Sequence, residues 1–135
     1  EVIGLIEGTQ HFRNIQRHHV LTSSKLLSMR IDENLNFLNA HIFKGFLINA
    51  VSQHIDLEHV VINCSSISSI DLSAVEMLED VNAELNKLNI KLHLSEIKGP
   101  VMDKLQHSKL LKHLSGKIYL THFQAMQQLS PEVFQ

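Results

Sequence analysis

The segment that most constrains the fold is residues 59–64, in which Val60, Val61 and Ile62 follow one another without a polar interruption. A strand with one face in water alternates apolar and polar residues, whereas a continuous apolar run is typical of a strand covered on both faces. Residues 73–76 then have the S-x-x-E spacing of a capping box, which predicts a helix start at Ser73. A covered strand that leads into a capped helix is the repeating unit of parallel α/β sheets.

The same alternation continues along the chain and gives the order β-β-α-β-α-β-α-β-α. Residues 2–6, 26–31, 90–94 and 117–120 predict the other strands, and residues 9–24 form a long polar connection between the first two. Further helices are predicted from Asn39, from Pro100 to a C-terminal cap at Gly116, and from Thr121 to Leu129. The expected core comprises Ile31, Phe43, Phe46, Leu47, Val61, Ile62, Val75, Leu78, Val81, Leu92 and Ile118.

The predicted fold is therefore α/β, with a mixed, mainly parallel sheet of about five strands and helices mainly on one side. The first two strands are free to pair antiparallel. A length of 135 residues, with few glycines and prolines and no linker-like tract, predicts one domain over residues 1–135.

Composition excludes several function classes. The net charge of −2 argues against nucleic acid as a partner, because such binding needs clustered basic residues. One cysteine, Cys64, excludes an internal disulfide framework and favours a reducing compartment. The most apolar stretch, residues 42–51, is too short and too interrupted to span a bilayer, and no signal peptide pattern is present.

No residue pattern argues for catalysis, a metal or a cofactor. The ten histidines fall singly on many predicted elements, without an H-E-x-x-H or C-x-x-C motif, so surface and core-edge histidines are favoured over a metal site. A G-x-S-x-G elbow and the glycine-rich phosphate loops are also missing from the sequence. Cys64 ends an apolar strand and is expected to be a buried, inert thiol.

The candidate site is the loop between the covered strand and its helix. It lies at the carboxyl end of the strand, where open α/β sheets place their ligand-facing loops. Free N–H groups at the helix start could receive a carboxylate, a phosphate or an acidic side chain of a partner. On local chemistry alone the stronger interpretation is that Asp71 and Ser73 are turn and cap residues. The candidate interaction residues are Ser68, Ser69, Ile70, Asp71, Leu72, Ser73 and Ala74.

Several motifs together resemble the STAS domain, a module shared by sulfate transporters and anti-sigma-factor antagonists. The I-D-L-S-A sequence of residues 70–74 resembles the hallmark I-D-x-S/T-G/A loop. Residues 8–13 and 30–40 are similar to the G-T-x-x-Y-R and R-x-D-x-x-L-x-F-x-N-A signatures of STAS domains that end SulP-family anion permeases. The G-P-V of residues 99–101 and the S-K-L-L of residues 108–111 match later positions of the same branch.

This resemblance implies a non-catalytic regulatory or interaction domain of a transporter of sulfate or a related small anion, at the cytoplasmic face of the plasma (inner) membrane. The chain begins at Glu1 rather than Met, so we expect a STAS domain excised from the C-terminus of a membrane transporter. The implied partners are the transmembrane domain of the same polypeptide, a cytosolic protein or a second copy of the domain, with no cofactor.

The alternative is a stand-alone signalling protein like the anti-sigma-factor antagonists. In those proteins the phosphorylated Ser or Thr directly follows the loop Asp, and Leu72 occupies that position here, which disfavours the alternative. Ser73 is the neighbouring hydroxyl and is predicted to be engaged in capping. Binding of an anion or nucleotide at the loop is the weaker expectation, because residues 68–74 contain no lysine, arginine or glycine. An Asp71→Lys change is expected to weaken docking without unfolding the domain.

Overall fold

The computed structural model describes residues 1–134. Within them the chain alternates short strands and helices, as the sequence predicts. The strands are β1 (Ile3–Leu5), β2 (Phe12–Asn14), β3 (Leu26–Arg30), β4 (His59–Asn63), β5 (Lys91–Ser95) and β6 (Ile118–Tyr119). The helices are α1 (Ala40–Ser52), α2 (Leu72–Lys87), α3 (Gly99–Gln106), α4 (Leu110–His113) and α5 (His122–Leu129), followed by a 3-10 helix at Pro131–Phe134.

The main sheet has the order β3-β4-β5-β6, and every neighbouring pair is parallel. This arrangement confirms the mainly parallel sheet and places β4 inside it, between β3 and β5. The antiparallel element differs in detail from the expectation. β1 forms a separate two-stranded sheet with β2, and only a single bridge between Val2 and Met29 links it to β3. Strand β2 escaped prediction because its three residues lie within the polar 9–24 connection.

Layers on both faces of the sheet bury two clusters of side chains. Helices α1 to α4 cover one face and form the larger cluster with the alternate strand residues Met29, Ile62 and Leu94. The β1–β2 pair and α5 cover the other face, where Val61 lies in the smaller cluster. The continuous apolar run in β4 therefore faces a packed layer on each side, and four of the five helices share one side.

Most of the predicted core is buried, but two residues are not. Phe46 and Ile118 are exposed. Phe46 lies one turn after Ile42 on the outer side of α1, and both border a surface hollow of ≈360 Å³. Ile118 belongs to a two-residue edge strand, in which only the neighbouring Tyr119 turns into the smaller cluster. Phe43 is partly buried against the larger cluster.

The predicted helix from Pro100 to a cap at Gly116 is wrong in its second half. The chain forms α3 and then the one-turn α4, with Ser108 between them bonded to the carbonyl of Leu105 at 2.7 Å. Gly116 lies beyond α4 and packs against β5, where its N–H donates to the Leu92 carbonyl at 2.9 Å. A Cβ at Gly116 would lie 2.3 Å from Nδ1 of His93, so this position needs glycine for close approach rather than for a helix end.

Candidate functional site

The helix that follows the candidate loop is capped by Asp71, not by Ser73. α2 begins at Leu72, and Oδ1 of Asp71 accepts a hydrogen bond from the backbone N–H of Ala74 at 2.9 Å. The extended backbone of Asp71 (φ −98°, ψ 174°) is the geometry of an N-cap residue. Ser73 is the second residue of the helix, and its exposed hydroxyl makes no hydrogen bond to the described residues. The predicted boundary is therefore two residues late, because an earlier acidic residue takes the cap.

The second carboxylate oxygen of Asp71 binds a different part of the chain. Oδ2 accepts the backbone N–H of Phe37 at 2.9 Å, so one side chain joins the α2 start to the segment before α1. A parallel bridge between Leu35 and Ile70 runs beside this contact. Asp71 thus fills the helix start with the protein's own anion, and the space that a partner's carboxylate or phosphate would need is occupied.

Residues 34–38 support the rest of the loop. Oδ1 of Asn34 accepts the backbone N–H groups of Ser68 at 2.9 Å and Ser69 at 3.3 Å. The side-chain amide of Asn39 in turn donates to the Asn34 carbonyl at 2.9 Å. These bonds satisfy loop N–H groups that no strand or helix can pair, so the loop has a defined shape.

The loop divides into buried supports and an exposed surface. Ile70 and Ala74 are buried, Asp71 is half-buried, and the remaining four candidate residues are exposed. Large apolar side chains stand beside them: Leu72 is 70% exposed, Phe37 68% and Leu38 65%. Phe37 and Ser73 also line one hollow of ≈310 Å³. We call this surface the loop face, and it consists of Ser68, Ser69, Leu72, Ser73, Phe37 and Leu38.

Sequence reasoning about the loop missed the two residues contributed from the other segment. Phe37 and Leu38 lie 30 or more positions away in the sequence, and the hydrogen bond from Phe37 to Asp71 brings them together. The signal that could have found them is the motif at residues 30–40, which contains Asn34 and Phe37. Their pairing with the loop depends on the parallel bridge at Leu35, which local patterns do not reveal.

A comparison with known families decides what kind of domain this is. The model of the STAS domain family matches residues 16–125. The chain belongs to the STAS domain family. Sulfate transporter 3.2 of Arabidopsis thaliana is 28% identical over 136 residues, which cover 93% of this chain and 21% of that protein. The chain therefore spans about a fifth of the length of the curated relatives that it matches.

Solved structures show the same fold at lower identity. The murine Slc26a9 anion transporter in its inward-facing state superposes with a TM-score of 0.79 at 15% identity, covering 93% of this chain and 21% of that one. The SulP transporter STAS domain from Vibrio cholerae gives 0.67 at 19% identity, covering 89% and 92%. The predicted resemblance to the STAS domains of SulP transporters is confirmed, as is the STAS-like α/β fold.

The thiol of Cys64, which lies near the loop in sequence, is unreactive in this STAS domain. Cys64 directly follows the last residue of β4, and it is buried. Burial raises the pKa of its thiol to about 12, and the Glu96 carboxylate acts in the same direction. A thiol with that pKa carries almost no thiolate near neutral pH, so it offers no covalent chemistry to the loop.

Two groups of histidines lie on the face of the sheet that α5 covers, and one of them is His122, the first residue of α5. The buried ring of His122 bonds Ser95 Oγ through Nδ1 at 2.7 Å and Ser28 Oγ through Nε2 at 2.8 Å. Nδ1 of His59 lies 3.1 Å from Nε2 of His93. Over residues 1–134, no three His, Cys, Asp or Glu side chains converge as a metal site would require. None of the helices in this range is long and apolar enough to cross a membrane.

Proposed function

We propose that this STAS domain is a cytoplasmic regulatory and interaction domain of a SulP-type transporter of sulfate or a related small anion. In this proposal it neither translocates the anion nor catalyses a reaction. Its relatives are sulfate transporters whose length exceeds the matched region about fivefold, which leaves room for a membrane part outside the domain. The observation that carries the docking role is the exposed apolar loop face on a firmly bonded loop.

The composition of the loop face supports docking rather than solvation. A loop that faces only water is expected to carry polar side chains, yet Leu72, Phe37 and Leu38 all expose most of their surface. Contiguous exposed apolar side chains with a polar rim are typical of protein–protein contact sites. The serines of the loop supply that rim, and the Asp71 bonds keep the surface ordered before a partner arrives. We propose the transmembrane domain of the same polypeptide as the occupant.

The alternative of a stand-alone, kinase-switched antagonist gains no support from the site. The position after Asp71 is solvent-accessible, as a phosphorylation site must be, but Leu72 has no hydroxyl. Ser73 is exposed with a free hydroxyl, so its phosphorylation is chemically allowed. Ser73 is the second residue of α2 and lies one position after the hydroxyl that those antagonists phosphorylate, so the motif assigns it no switch role.

The parent reading frame provides the first test. Several apolar spans of about 20 residues upstream of Glu1 would support the transporter assignment. A start codon a few residues before Glu1 would contradict it and favour the stand-alone alternative. This result does not depend on any property of the loop face.

The second test is a charge placed on the loop face of the full-length transporter. Asp71→Lys is unsuitable, because it removes two hydrogen bonds that hold the loop. Leu72→Asp is suitable, since Leu72 is exposed and an acidic residue in the first helical turn suits the helix dipole. Burying an unpaired carboxylate against an apolar surface is costly, so we expect binding of the domain to the separately expressed membrane part to weaken at least roughly tenfold.

Ile55→Asp provides the matched control. Ile55 is the most exposed of the large apolar residues and lies in the turn between α1 and β4, away from the loop face. The Ile55→Asp variant should leave both binding to the membrane part and anion uptake unchanged. Equal binding and uptake by the Leu72→Asp variant and the parent, with both domains folded, would place the docking surface elsewhere.

A further inference from the structure

A second candidate site lies at the amino ends of the strands, at the opposite edge of the sheet from the loop face. His59 and Lys91 are the first residues of β4 and β5, and they are direct partners in the parallel register. Lys117 directly precedes β6. Together with His93, Tyr119 and the end of α5, these residues line a hollow of ≈280 Å³.

The charge in this hollow is positive and is not neutralised by ion pairs. Lys91 and Lys117 both make no salt bridge to the residues that the structure describes. Every residue that lines the hollow is basic, polar, aromatic or apolar, and none is acidic. Glu58 lies outside the lining, and its carboxylate acts on His59, where it opposes the positive charge of Lys91. Two unpaired cations that border one concave surface favour an anion as its occupant.

The two histidines have a fixed proton arrangement that adds a donor to the hollow. The backbone N–H of Lys117 donates to Nδ1 of His93 at 2.9 Å, so the ring proton of neutral His93 is on Nε2. That Nε2–H donates to Nδ1 of His59, which leaves the proton of His59 on Nε2. Burial lowers the pKa of His93 to about 4, so this neutral arrangement holds near pH 7. Nε2 of His59 has no partner among residues 1–134.

Tyr119 supplies a second donor that the protein itself does not use. Its side chain is only 8% exposed, and its hydroxyl makes no hydrogen bond within the described part of the chain. Because the described residues leave no buried side-chain oxygen without a partner, this hydroxyl reaches the surface, where it is free to donate to a molecule in the hollow. The floor of the hollow is also tightly fixed, since Gly116 contacts His93 and Leu92 too closely to admit a side chain.

We propose that this hollow binds a small, free inorganic oxyanion such as sulfate. Lys91 and Lys117 supply charge, and the His59 and Tyr119 N–H and O–H groups supply directed hydrogen bonds. The site is independent of the docking function proposed for the loop face, because the two lie at opposite ends of the same parallel strands. The hollow would then sense the anion concentration around the domain.

The single tyrosine makes the test specific to the site. The chain contains no tryptophan, so intrinsic fluorescence reports Tyr119 alone. The isolated STAS domain is titrated with sulfate, and the reference titration uses chloride at matched ionic strength. We expect a saturable fluorescence change with sulfate and shifts of the Lys117 amide resonance at the same midpoint. A response that follows ionic strength alone in both titrations would overturn the proposal.

Two double variants with equal charge change isolate the contribution of the lysines. Lys91→Gln/Lys117→Gln should weaken sulfate binding at least roughly tenfold, because two charge-assisted contacts are lost. Lys98→Gln/Lys104→Gln changes exposed lysines at α3 and should leave the midpoint within roughly twofold. Equal weakening by both pairs would reduce the effect to net charge and overturn the proposal.

Two further outcomes would also contradict the proposal that the hollow binds a free oxyanion. The lysines could instead serve the carboxyl end of α5, in which case Lys91→Gln/Lys117→Gln would lower the unfolding temperature and leave sulfate affinity intact. The oxyanion could instead be a lipid phosphate, in which case phosphatidylcholine vesicles with phosphatidic acid would bind the domain while free sulfate produced no saturation. Sulfate saturation without vesicle binding supports the free anion.

Discussion

Acidification should destabilise this STAS domain through His122 before its carboxylates titrate. The His122 ring is fully buried, and both of its nitrogens are bonded to serine hydroxyls. The ring also packs edge-on against Phe12, with the centroids 4.6 Å apart. The Glu96 carboxylate accepts the backbone N–H of His122 and not a ring N–H. A charge on this ring would therefore have no water and no direct counterion, and burial lowers its pKa to about 3.

The size of the effect follows from the difference between the folded and unfolded pKa values. In the unfolded chain His122 titrates near its ordinary pKa of 6.5, so below that pH the unfolded state binds a proton that the folded state refuses. The free energy of unfolding then falls by about 1.4 kcal/mol per pH unit, which amounts to about 3 kcal/mol at pH 4.5. The total free energy of unfolding of a small domain is about 5–15 kcal/mol. The lowered pKa values of His93 and His59 act in the same direction.

Urea unfolding followed by circular dichroism at pH values between 7 and 4.5 measures this dependence. The window ends at 4.5 because at lower pH the carboxyl groups of the unfolded chain also take up protons, and the lowered pKa values of Asp32 and Glu132 would then add to the slope. His122→Gln should be less stable at pH 7, since it loses the ring that packs against Phe12 and holds both serine hydroxyls. Its stability should nevertheless fall less steeply, by about 1.4 kcal/mol per pH unit. The exposed His41 provides the control, and His41→Gln should keep the parent slope.

An equal slope in the parent and His122→Gln would refute this reasoning, because it would mean that the ring titrates alike in both states. An NMR titration of the folded parent supplies the independent check. A His122 ring that takes up its proton near pH 6.5 without unfolding would also contradict the buried network.

Three further predictions concern local packing. In urea unfolding, Gly116→Ala should lower the free energy of unfolding by about 1–3 kcal/mol, because the added methyl group clashes with β5. Gly45→Ala, whose methyl group meets open space on α1, should raise it by about 0.5–1 kcal/mol. Thr121→Ala should cost about 1 kcal/mol in the same assay, since the Thr121 hydroxyl caps α5 through the N–H of Gln124 at 3.1 Å. With its pKa raised to about 12, Cys64 should resist iodoacetamide at pH 8 in the folded domain and react in urea; rapid alkylation without urea would contradict its burial.

The sequence predicted the elements whose signals are local and strong. The apolar run of β4, the proline at the start of α3 and the Thr121 cap of α5 were all read correctly from short patterns. The mainly parallel pairing then followed from the alternation of strands and helices. These features depend on backbone preferences and burial periods that few neighbouring residues determine.

The errors occurred where a distant contact overrides the local pattern. The S-x-x-E spacing at Ser73 is a valid cap signal, but Asp71 takes that role because its carboxylate also reaches Phe37. Gly116 resembles a helix end, yet the approach of His93 is what requires it. Phe46 has helical spacing with the buried face of α1 but lies just outside it. Neither the Asp71–Phe37 hydrogen bond nor the approach of His93 to Gly116 has a signature within a short window of sequence.

The two faces of the sheet are stabilised by different chemistry, and this difference follows from the alternation of side chains along the strands. The residues of β3, β4 and β5 that face α1 to α4 are apolar and need only burial, which is insensitive to pH. The alternate residues, which face α5, include Ser28, Ser95 and His93, so α5 packs over hydrogen-bonded histidines that must remain neutral. A proton taken up on that face removes support from α5 and leaves the larger cluster intact. The α5 layer is therefore the part of the fold that acid should loosen first, while the loop face, which is held by Asp71 and by backbone bonds to Asn34, keeps its shape.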